Sequence, residues 1–114
     1  MKLLIIFSKD IEISPEKICV HTGHSARHIA SMLLTNNPLG STPYNKWQDN
    51  DFKTVLLRDN LKQKGFDDLY SFYYRYNIVD AGLDGVYPRG TVLGYAVLVP
   101  KDDESFKRLR TLKF

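Results

Sequence analysis

Lys17, His21, His24 and His28 are spaced by four, three and four residues, which puts them along one face of any helix that contains them. They include all three histidines of the chain. An imidazole takes up a proton near neutral pH and an ammonium stabilises developing negative charge, so a histidine and a lysine two turns apart can act together. The same spacing also describes a polar helix face with no task, or three imidazoles sharing a metal ion. No HExxH motif, cysteine cluster or carboxylate on that face accompanies the metal reading.

A second candidate is Asp80-Ala81-Gly82, after a short apolar stretch. A carboxylate at the carboxyl end of a strand, followed by small residues, is suited to a cleft where other backbone comes close. A turn-forming aspartate is the commoner source of the pattern. Tyr87-Pro88-Arg89-Gly90-Thr91 then turns back and could bring Arg89 and Thr91 beside that aspartate, with Arg89 suited to a phosphate. Cys19 lies two residues from His21, so on a helix the two side chains diverge; it is expected to be buried as a small apolar group. Neither a GxSxG elbow nor a glycine-rich phosphate loop is present. The aromatic run from Tyr70 to Tyr76 offers stacking surface for bases, but the helical spacing of Tyr70, Tyr73 and Tyr74 better describes packing on a sheet.

The elements that must position these residues follow from local pattern. Lys2 to Phe7 is an apolar run of strand length, expected to be an inner strand buried on both faces. Ser14, Pro15 and Glu16 form a helix start, with the helix running to about Leu34 and Ile18, Ala26, Ile29, Ala30 and Leu33 on its apolar stripe. Residues from Asn36 to Pro43 are expected to form a loop anchored by Trp47. Phe52 to Leu57 is predicted as a strand, Asn60 to Lys64 as a short helix closed by Gly65, and Asp67 to Tyr76 as a further helix. Asn77 to Asp80 and Thr91 to Val99 are predicted as strands, and a last helix begins at Asp102 or Asp103 with Phe106 and Leu109 facing inward. The alternation of strands and helices predicts one α/β domain over residues 1–114, with helices packed on a central sheet.

The chain has 114 residues, enough for one core but hardly two. A single cysteine points to a reducing compartment, and no stretch approaches the roughly 20 apolar residues of a membrane span, so a cytoplasmic protein without membrane contact is expected. The net charge of +3 permits attraction to RNA or DNA phosphates without demanding it. A basic tail (Lys107, Arg108, Arg110, Lys113) is a solvated helix face or a phosphate-contacting patch.

Taken in order, the segments KLLIIFSKD, EKICVHTGHSARHIA with Lys17 and His24-Ser25-Ala26, Trp47 with FKTVLL, IVDAG and YPRGTVLG resemble the type 2 peptidyl-tRNA hydrolases over roughly residues 2 to 100. The resemblance implies a mixed sheet of about four strands with helices on both faces. It implies cleavage, without metal or cofactor, of the ester joining a peptide to tRNA. His24 and Asp80 would position and activate water, Lys17 would hold phosphate or stabilise the oxyanion, and His21, Gly82, Arg89 and Thr91 would contact substrate. Peptidyl-tRNA is then the partner, and a homodimer is compatible. The chain departs from the family pattern at His21, where glutamine is usual, and at Leu83 and Asp84, where a basic residue and threonine are usual. Those departures raise an alternative: a non-catalytic RNA- or protein-binding module on the same fold.

Overall fold

Apolar residues in an unbroken row need cover on both sides, and β1 (Lys2–Ser8) has it, with Leu3 to Phe7 fully buried. In this computed structural model, which describes residues 1–35, 41–70, 73–80, 82 and 87–104, β1 is followed by α1 (Pro15–Thr35), α2 (Ser41–Asp49), β2 (Thr54–Asp59), α3 (Gln63–Tyr70), β3 (Tyr74–Val79) and β4 (Val92–Val99). Ala81, Leu83, Asp84 and the expected last helix with Phe106, Leu109 and the basic tail lie outside the described residues.

The four strands form an open mixed sheet in the order β2-β1-β4-β3. β1 is parallel to β2 and antiparallel to β4, which is antiparallel to β3. Three strands therefore point the same way, and the carboxyl ends of β1, β2 and β3 share one rim with the start of β4. The expectation of an α/β domain with helices on both faces holds. Leu3, Ile5 and Phe7 pack with Ile18, Ile29 and Leu33 of α1 and Trp47 of α2. Leu4 and Ile6, pointing the other way, pack with Phe66 and Tyr70 of α3. Among the described residues no helix is long and apolar enough to cross a membrane.

α1 begins as its sequence dictates. The Lys17 amide donates to Ser14 Oγ at 3.2 Å, Pro15 takes the first helical position, and Glu16 sits in the first turn. Ile18, Ile29 and Leu33 are buried, with Ala26 and Ala30 packed beside them. Cys19 is exposed, contrary to expectation: one residue past Ile18 is a turn of about 100° around the axis, away from the sheet.

Two segments differ from the sequence expectation. Ser41 to Pro43, expected in the loop, open the helix α2 instead, because a proline in the first turn of a helix removes only an amide that has no intrahelical partner. Trp47 is buried there, and its Nε1 donates to the Lys53 carbonyl at 3.1 Å. Further on, one helix runs through Gly65 instead of closing there, and Tyr74 to Tyr76 are strand instead of helix. Tyr70, Tyr73 and Tyr74 therefore share no helix face. Tyr74, Tyr76 and Ile78 alternate toward α1, while Arg75 and Asn77 alternate toward α3. Arg75 Nη1 and Gln63 Nε2 both donate to Asp67 Oδ1, at 2.5 and 2.9 Å, and Asn77 donates to Gln63 at 2.9 Å. The amide of Gln63 and the guanidinium of Arg75 hold the Asp67 carboxyl below the usual aspartate range.

Candidate active site

The alternation of β3 decides where its last carboxylate goes. Tyr74, Tyr76 and Ile78 face α1, and Asp80 is the next residue in the same parity. Its backbone continues the pairing with the chain entering β4: the Asp80 amide donates to the Thr91 carbonyl at 2.8 Å, and the Gly90 amide to the Asp80 carbonyl at 2.7 Å. Just beyond, Val79 pairs with Val92 and Ile78 with Gly94, so Leu93 is an extra, buried residue that bulges β4 beside the site.

Asp80 is only 3 % exposed, and both carboxylate oxygens accept hydrogen bonds. Lys17 Nζ donates to Oδ2 at 2.5 Å, and the Gly82 amide to Oδ1 at 2.6 Å. A buried carboxylate without such partners would be strongly disfavoured. The Lys17 ammonium also lies 5.1 Å from the centre of the Tyr87 ring, whose hydroxyl donates to the Glu12 carbonyl. Tyr87 thereby ties the β3–β4 connection to the segment that leads into α1. Gly82 has φ +74, and a Cβ there would lie 3.1 Å from the Arg89 amide nitrogen, so a side chain is disfavoured on both counts.

The remaining expected site residues lie in the turn before β4 and along α1. Arg89 is exposed, and Thr91 Oγ1 donates to the Pro88 carbonyl at 2.7 Å within its own turn. His21 is half-buried and His24 exposed, their rings perpendicular with centres 5.7 Å apart. His28 stacks on Tyr76 of β3 at 4.1 Å. Because Lys17 meets Asp80 and His28 meets Tyr76, α1 runs antiparallel across β3, and His21 and His24 lie between those two contacts. Seven residues of helix separate Lys17 from His24, roughly 10 Å along the axis. Lys17, Asp80 and Gly82 are thus brought into one cluster. Among the described residues no hydrogen bond or ion pair joins His24 to Asp80.

Among the described residues no group of three or more His, Cys, Asp or Glu side chains converges as metal ligands would, so the three histidines of α1 are a row rather than a cage. What the arrangement offers is a fixed ammonium beside a buried carboxylate at the carboxyl rim of the sheet, with an imidazole further along the same helix face. Sequence reasoning missed Tyr87 and Tyr76 as ring contacts of Lys17 and His28 on this helix face. The period-2 run Tyr74, Tyr76, Ile78, Asp80 was the available signal, hidden under the aromatic density of the segment. Comparison of the chain with protein-family models and with curated proteins found no match in either.

Proposed function

We propose that the protein is a metal-independent hydrolase that cleaves the ester between peptide and tRNA in peptidyl-tRNA. The observation that carries this reading is the Lys17–Asp80 contact, which brings together two of the segments, EKICVHTGHSA and IVDAG, that carry the resemblance to type 2 peptidyl-tRNA hydrolases. In the reaction, water adds to the ester carbonyl carbon and the bond to the ribose 3′ oxygen breaks. The water proton goes to a base, and a proton is delivered to the departing ribose oxygen. The ammonium of Lys17, held by Asp80, faces the negative charge that builds on the carbonyl oxygen. Asp80 already accepts at both oxygens and acts by orienting Lys17 and the Gly82 turn. The exposed imidazole of His24 carries the proton. The net charge of +3 favours approach of a polyanion.

The test is turnover of a peptidyl-tRNA by the purified protein in a chelator. Turnover should persist, and should fall by about a hundredfold or more in His24→Ala. A folded protein with no turnover would sink the enzyme reading. Leu83 and Asp84, which stand where the resembled family has a basic residue and threonine, favour one second reading, a non-catalytic RNA-binding module on the same fold. That module would bind tRNA with an affinity falling steeply as salt rises, and would leave the ester intact.

A further inference from the structure

The geometry points to a nucleotide-binding subsite in the cleft lined by His24, Arg27, His28, Ser31 and Tyr76, taking one nucleobase on the His28–Tyr76 ring pair and its phosphate on Arg27. The cleft has a volume of about 310 Å³, at the lower end of ordinary ligand sites, which suits a single nucleotide rather than a length of strand. Its lining contains two imidazoles, a phenol, a hydroxyl and a guanidinium, and no carboxylate. Other clefts differ in this respect: the one along Gln63, Arg75 and Asn77 contains Asp67, and the one at the ends of β1 and β2 contains Asp10. Arg27 is exposed and makes no ion pair among the described residues, so its charge is available to an anion. His28 is exposed although its ring is stacked at 4.1 Å on Tyr76, so the pair extends an aromatic surface from the core to the cleft wall. Bases of any identity stack on such surfaces.

Position gives the subsite its use. His24 belongs both to this cleft and to the face that continues through His21 to Lys17. A terminal nucleotide seated on His28 and Tyr76 would turn its ribose toward His24, one helical turn away, and so present a ribose ester to the Lys17–Asp80 end. This orientation rests on the hydrolase reading; the binding of a nucleotide does not.

The probe is AMP, followed by the imidazole proton resonances of the three histidines. AMP should shift the His28 signals saturably, and His28→Ala should weaken binding by about tenfold. Arg27→Gln should weaken AMP while leaving adenosine unchanged. Both positions are exposed on α1, and an unchanged far-ultraviolet spectrum would confirm folding of each variant. AMP binding with this pattern in a protein without turnover keeps the subsite and removes the hydrolase reading. Turnover in a protein whose His28 signals ignore AMP, or whose AMP affinity is the same in both variants, overturns the subsite and keeps the hydrolase. Inorganic phosphate competing as well as AMP would also overturn it, since only an anion site would remain.

Discussion

Lys17 is 18 % exposed and its partner Asp80 only 3 %, so the two ends of their ion pair are not equivalent. Removing the lysine strands a charge that water cannot reach. Lys17→Met should therefore cost about 2 kcal/mol, less than a fully buried pair because the lysine end is partly solvated, measured by denaturant unfolding at neutral pH. If Lys17 faces the developing oxyanion, the same variant loses turnover by at least about a hundredfold. Wild-type stability in Lys17→Met would mean that the remaining contacts of Asp80, the Gly82 amide among them, satisfy it. The types and spacing of Lys17, His24 and Asp80 marked them as candidates in the sequence. The pairing of Lys17 with Asp80 was not legible there, since it spans 63 residues and depends on the parity of a strand whose first residues, Tyr74 to Tyr76, the sequence presents as helix. His24 could be placed on the right face but not at a distance, because helix periodicity fixes direction around an axis and says nothing of what lies opposite.

The strands meet the site through two close approaches. Gly94 lies where β4 crosses β1, and a Cβ there would be 2.3 Å from the Ile6 carbonyl oxygen, so Gly94→Ala must separate the two central strands. It should unfold the protein or destabilise it by about 3 kcal/mol or more, read as a loss of cooperative melting. Gly82→Ala should cost about 1–2 kcal/mol and spare the sheet, because only the turn is strained. The link between α3 and β3 is sensitive to acid. Asp67 titrates below its unfolded value of 3.8, so its contribution is present above that pH and disappears as pH falls through the folded value. Asp67→Asn should thus melt earlier than wild type at neutral pH and alike in strong acid. Element by element, the sequence was most legible where one force dominated. The apolar run of β1 and the capped start of α1 were read correctly, whereas the stretch from Gln63 to Tyr76 was divided wrongly. Its tyrosines suit either state, and the place beside β4 that made them strand is a tertiary fact.

At the scale of the molecule, the sheet divides the core of one domain into two layers, one under α1 and α2 and one under α3. Ile29→Val on the first side and Ile6→Val on the second should each cost about 1 kcal/mol, and the double variant should equal their sum within about 0.5 kcal/mol. A larger coupling would show that packing strain passes through the sheet. The placement of helices on both faces was legible from the alternation of elements, since a strand buried on both sides requires it. The strand order carries a consequence for how the protein is made. β4 is last among the described strands, yet it stands between β1 and β3 and bonds to both. A chain emerging from the ribosome therefore exposes Lys17, His24 and Asp80 well before the strand that can bring β3 to β1. Thr91 and Gly90, which hold the backbone of Asp80, also arrive after it. A product halted short of β4 would carry Lys17, His24 and Asp80 without the strand that joins β3 to β1, so the geometry of the proposed site waits for β4.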